Sequence, residues 1–106
     1  MSAERLDQLR GMLAEEPGDV FLRYAIALEL KRKGEMGPAI EALEKLLRDR
    51  PDHVASYYQL ALMLADVGRN SEAIHTCEAG KLQCIVSGDR KARAELQELL
   101  ASLEGD

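Results

Sequence analysis

The sequence predicts an all-α protein built from about six antiparallel helices in stacked hairpins. Three observations point to this. The chain repeats itself at a period of 34 residues, glycines and prolines punctuate it at the same phase, and the apolar residues between them follow helical spacing.

The repeat appears when segment 17–50 is laid against 51–84. Pro17 meets Pro51, Val20 meets Val54, Tyr24 meets Tyr58, and Ala27 meets Ala61. Leu28, Leu30, Gly34, Ala39, Ile40 and Glu44 likewise meet Leu62, Leu64, Gly68, Ala73, Ile74 and Glu78. These are ten identities in 34 positions, where unrelated segments of ordinary composition give about two or three.

Each unit divides at its glycine into two helices. Asp19 is placed to cap a helix from about Val20 to Lys33, with Ile26, Ala27 and Leu30 on its inner face. Lys31, Arg32 and Lys33 fall in the last turn, where cations complement the helix dipole. Gly34 supplies the left-handed residue that ends the helix. Pro38 suits the first turn of the next helix, which runs to about Asp49 with Ile40, Leu43, Leu46 and Leu47 inward. Pro51 stops it. The second unit repeats the plan, with Asp52 as the expected cap, Gly68 as the break, and Asn70 or Ser71 capping the helix that follows. Ala27, Ala39, Ala61 and Ala73 are small enough to bring the paired helices close together.

The flanks read as further helices. Leu6, Leu9, Met12 and Leu13 stripe residues 2–15, and Pro17 follows. Ser87-Gly88-Asp89 reads as a turn and cap, after which Ala92, Leu96, Leu99, Leu100 and Leu103 stripe a last helix. Such an end helix covers the outer face that a stacked repeat leaves open.

Composition narrows the function. A chain of 106 residues is the size of one domain, and a single domain over 1–106 is expected. It carries 14 basic against 19 acidic side chains, a formal charge of -5. An acidic balance argues against nucleic acid, whose phosphates need a basic face. No apolar stretch approaches the roughly 18–20 residues of a membrane span, so no membrane partner is expected. The first residues, Met1 to Asp7, are charged and do not read as a secretory signal, and a cytoplasmic location is expected. Cys77 and Cys84 are seven residues apart. On one helix their Cα atoms lie about 10 Å apart, beyond disulfide reach, so both are expected as free thiols and Cys77 as a small buried residue. His75 points away from Cys77, and no four-ligand metal set or other cofactor site is expected. His53 and His75 sit on separate expected helices with no carboxylate to orient either. Gly34-Glu35-Met36-Gly37 lacks the Lys-Ser/Thr of a phosphate loop. No enzyme is expected.

The pattern of small, apolar, Gly and Pro positions across 17–84 resembles the tetratricopeptide repeat (TPR) family. The resemblance implies a right-handed α-α superhelix: a half-repeat at 2–16, repeats at 17–50 and 51–84, and a capping helix at 87–104. It has departures. Arg23 stands where the family has a bulky apolar residue, a place that Tyr57 fills in the second unit. Gly80 replaces a small Ala. Ile85 replaces the repeat-ending Pro, which predicts a helix running on from Asn70 to about Val86.

The resemblance also implies a protein-binding module. In such stacks the free face of each repeat's first helix lines a concave groove. Here that face reads Phe21, Tyr24, Leu28 and Lys31, then Ala55, Tyr58, Leu62 and Ala65, with Gln59 beside the second set. An apolar patch of this kind marks an interaction site. The expected ligand is a peptide segment or a protein surface. Two other readings stand beside it: a self-associating structural module whose groove is covered by its own chain or a second copy, and a secretion-chaperone-like holder of unfolded clients. The chain is accordingly expected to be a monomer or a weak homodimer. Some family members clamp chaperone C-terminal carboxylates with Lys, Asn and Arg. The matching places here hold Tyr24, Leu28, Ala55 and Gln59, so that ligand is disfavoured.

Overall fold

The computed structural model describes residues 2–105. Among them the chain is all-α, with six helices and no strand: α1 Ser2–Glu15, α2 Val20–Arg32, α3 Met36–Asp49, α4 Val54–Asp66, α5 Asn70–Ser87 and α6 Arg90–Glu104. They form two compact units, divided between Arg50 and Pro51. No helix among the described residues is long and apolar enough to cross a membrane.

In the first unit α2 packs against both α1 and α3. Asp19 caps α2 as its sequence position requires, its Oδ1 accepting the Leu22 N–H at 3.0 Å. That bond satisfies one of the donors a helix start leaves open. At the other end Gly34 takes φ 85°, and the Glu35 N–H reaches back to the Leu30 carbonyl at 2.9 Å. Gly68 does the same in the second unit with φ 82°, the Arg69 N–H meeting the Leu64 carbonyl at 2.8 Å. A residue with Cβ is strained in that conformation, so glycine sets where both hairpins turn. The first unit's core is Leu6, Leu9, Leu22, Ile26, Ala27, Leu30, Ala39, Ile40, Leu43 and Leu46. Met12 is the exception in its stripe: it is exposed, while Leu13 is half-buried.

In the second unit α4, α5 and α6 all touch one another. Two expected caps are corrected here. The residue at the head of α4 is His53, not Asp52. Asp52 lies one residue too early for its short side chain to reach the second or third helical N–H. The Ser56 N–H is met instead by the His53 carbonyl at 3.1 Å, and His53 Nδ1 and Ser56 Oγ share a hydrogen bond of 2.7 Å. His53 is therefore a helix-entry residue rather than a helical one. Likewise Arg69, not Asn70 or Ser71, precedes α5, and its guanidinium pairs with Glu72 at 2.6 Å. With no proline at position 85, α5 runs through to Ser87, and Asp89 caps α6 by accepting the Ala92 N–H at 3.0 Å. Leu96 and Leu100 of α6 are buried, and Ala92, Leu99 and Leu103 are half-buried.

Gly80 has a packing cause. A Cβ there would lie 2.7 Å from Tyr57 Cβ and 2.8 Å from Leu96 Cδ1. The hydrogen at this position lets α4 and α6 both close on α5. Gly80→Ala forces Tyr57 or Leu96 aside and is expected to cost about 1–3 kcal/mol in urea unfolding, despite alanine's better helix propensity. An unchanged or raised midpoint would show that the seam has slack.

Candidate functional site

The residues expected to bind a partner fall into two sets, one on each unit. On α2, Phe21, Tyr24, Leu28 and Lys31 follow one another at three- and four-residue spacing, which places them along one face. Phe21 is 71% exposed, and the other three are half-buried. The rest of α2 buries Leu22, Ile26, Ala27, Glu29 and Leu30. The helix is thus apolar well beyond the stripe its core needs. On α4, Tyr58, Gln59 and Leu62 are half-buried, Ala65 is half-buried and Ala55 is exposed. Tyr57, one residue from Tyr58, turns inward and donates its hydroxyl to the Pro51 carbonyl at 2.7 Å. The two adjacent tyrosines are therefore divided between core and surface.

Sequence reading missed an ion cluster inside the first unit. Glu29 is buried, yet its carboxylate meets Arg32 Nη2 at 2.8 Å and Arg5 Nε of α1 at 3.4 Å. The hydrogen bond from Arg32 holds the Glu29 carboxyl below its ordinary range, and Arg5 adds to the effect, while burial opposes it. The signal lay in the repeat: the equivalent position is the fully buried Met63. Two of the three cations that end α2 are paired, Arg32 with Glu29 and Lys33 with Glu35 at 3.3 Å.

A second feature follows from Arg23 standing where the second unit has Tyr57. Arg23 turns to Asp49, Nη2 to Oδ2 at 3.0 Å. Beside this pair lies an open cavity of about 330 Å³ lined by Leu13, Pro17, Ile26, Ala42 and Lys45. The equivalent residue of the second unit, Tyr57, is buried, and its hydroxyl donates to the Pro51 carbonyl.

The thiols of Cys77 and Cys84 are free and buried on α5. Burial, with Glu78 adding to it, pushes Cys77 up to about 11, and burial raises Cys84 as well. Neither is a nucleophile at neutral pH. No group of three or more His, Cys, Asp or Glu among the described residues is placed to hold a metal ion.

Among solved structures, the chain is similar to a tetratricopeptide repeat domain protein from Salinibacter ruber, at 32% identity over 84% of this chain and 90% of that one, with a TM-score of 0.81. The chain belongs to the tetratricopeptide repeat family. A Bordetella parapertussis protein solved in solution shares the fold at 23% identity and a TM-score of 0.81, covering 93% of this chain and 86% of that one. The TPR2B domain of yeast Sti1, solved in a complex with pHsp70, shares it at 17% identity and a TM-score of 0.89, covering 98% and 83%. No protein-family model and no curated protein matches the chain. Within the TPR pattern, Arg23 and Gly80 now have distinct causes: one is tied to an acid across the hairpin, the other is required by the seam it sits in.

Two expectations follow. Arg23→Tyr exchanges a half-exposed ion pair for a buried ring and a hydrogen bond to the Pro17 carbonyl, and is expected to raise stability by about 1 kcal/mol in urea unfolding. A fall would mean that the Arg23–Asp49 pair, not the empty volume, dominates that site. Glu29 governs part of the acid response. Its folded pKa lies below the unfolded one, so its contribution is complete above the ordinary carboxylate pKa of about 4.3 and is lost as pH falls through the lowered value. Glu29→Gln should therefore flatten the acid limb of a plot of melting temperature against pH. A limb of unchanged slope would remove Glu29 from that role.

Proposed function

We propose that this TPR chain is a cytoplasmic protein-interaction module that holds a peptide segment or a protein surface non-covalently. The binding residues are Phe21, Tyr24, Leu28 and Lys31 of α2 with Tyr58, Gln59 and Leu62 of α4. In this reading the chain acts as one domain: a half-repeat at 2–16, repeats at 17–50 and 51–84, and a capping helix at 87–104. The observation that carries it is the second apolar stripe of α2, headed by a Phe21 that is 71% exposed although the helix already fills its core. Exposed aromatic and aliphatic side chains in a row offer area to a partner at small entropic cost, and Tyr adds a hydroxyl that fixes a backbone. The Sti1 domain in its complex with pHsp70 supports the general mode. A ligand held by its terminal carboxylate is disfavoured, because Tyr24, Leu28, Ala55 and Gln59 offer no cation for it.

Capture with the wild-type chain, followed by titration of the purified partner, tests the reading. Tyr24→Ala/Tyr58→Ala is expected to weaken that partner by tenfold or more, as loss of central aromatic anchors does. Equal affinity in the double variant would displace the site from these stripes. A concentration-dependent dimer, seen by sedimentation and abolished by the same variant, would assign the stripes to self-association instead.

A further inference from the structure

The segment 81–94 is basic within an acidic chain. It holds Lys81, Arg90, Lys91 and Arg93 against Asp89 alone, whereas the whole chain has a formal charge of -5. The fold of the second unit draws three of these cations to one seam. Because α5 runs on to Ser87, its end lies beside the start of α6. Gly88 turns the chain with φ 76°, and the Asp89 N–H returns to the Cys84 carbonyl at 2.9 Å. Two clefts open along this seam and share Arg90 and Arg93. One, of about 330 Å³, adds Lys81, Ala94 and Gln97. The other, of about 200 Å³, adds Cys84, Ile85 and the Gly88–Asp89 turn.

The cations here outnumber the one carboxylate that shares their clefts, Asp89. Among the described residues no carboxylate forms an ion pair with Arg90 or Arg93. Lys81 donates to the amide oxygen of Gln97, a neutral partner. Asp89, the acid at the turn, has an oxygen committed to the α6 cap. Three cations gathered beside a single carboxylate still repel, and a further anion relieves that repulsion. Apolar surface adjoins them. Leu82, Ile85 and Val86 lie at helical spacing on α5 and are 65%, 59% and 82% exposed, and Ile85 lines the smaller cleft.

We propose that the α5–α6 seam is a docking site for an acidic peptide segment, distinct from the α2 and α4 stripes. Carboxylates of the segment pair with Arg90, Arg93 and Lys81, the guanidinium forks donating to them in bidentate fashion. An apolar side chain next to those carboxylates lies on Ile85 and its neighbours Leu82 and Val86. Charge complementarity selects the occupant: three cations with an apolar edge fit a strand of alternating acidic and apolar residues.

The test is titration of the isotope-labelled full chain with a short synthetic peptide alternating Glu and Leu, and with its Lys-for-Glu counterpart, followed by backbone amide NMR. The acidic peptide should shift amides within 81–97, and the basic one should not bind. Added salt should weaken the complex. Arg90→Glu/Arg93→Glu should weaken it by about tenfold or more, and the milder Arg90→Gln/Arg93→Gln by less. Both arginines are exposed, so circular dichroism should show unchanged helix in either variant. Four results would overturn the proposal: shifts confined to α2 and α4, equal binding of the basic peptide, undiminished affinity in both arginine variants, or preferential binding of anionic phospholipid vesicles over the acidic peptide.

Discussion

How closely two helices approach decides everything else in these hairpins. The four alanines Ala27, Ala39, Ala61 and Ala73 are fully buried, and each sits where a longer side chain would separate the helix axes. Close approach leaves no spare volume, so the larger core residues, Leu43 and Leu46 in one unit and Met63 and Leu64 in the other, are fixed by what remains. The left-handed glycines at 34 and 68 serve the same end. They reverse the chain within a few residues, so α2 returns against α3 and α4 against α5.

Against that common frame, the two units solve one packing problem in different ways. The second unit pairs a large Tyr57 with the absent side chain of Gly80, and the ring lies over the bare backbone. The first pairs Arg23 with Leu46, its equivalent position, and sends the arginine to Asp49 instead of inward. The contrast continues six residues along, where Met63 packs and Glu29 makes ion pairs. The second unit thus relies on shape and the first partly on charge. Of the three charges only Glu29 is buried, so loss of its exposed arginines leaves one carboxylate with its desolvation cost. Packed apolar volume responds to size.

Much of this was legible in the sequence, for reasons tied to particular residues. Gly34, Gly68 and Gly88 announce turns because no other residue adopts their conformation without strain. Asp19 and Asp89 announce caps because each stands three residues before a helical N–H it meets. The missing proline at Ile85 announces a longer α5. The heads of α4 and α5 were not legible, because His53 and Arg69 stand there and neither offers a side chain that caps the helix. Glu29 was hidden for another reason. A lone acid on a helix reads as a solvated face, and only its equivalence to Met63 reveals that it points inward. Of the candidate site, the sequence revealed the spacing along each helix, which follows from helical geometry. The inward turn of Tyr57 beside the outward Tyr58 depends on the Pro51 carbonyl waiting for its hydroxyl.

The two thiols of α5 bear on a matter beyond binding. They are buried, raised in pKa and two turns apart on one rigid helix. Cys77 is fully buried, Cys84 borders the smaller cleft with almost no exposed surface, and the two sulfurs do not reach each other while the helix stands. The fold therefore gains nothing from an oxidising medium and loses nothing in a reducing one.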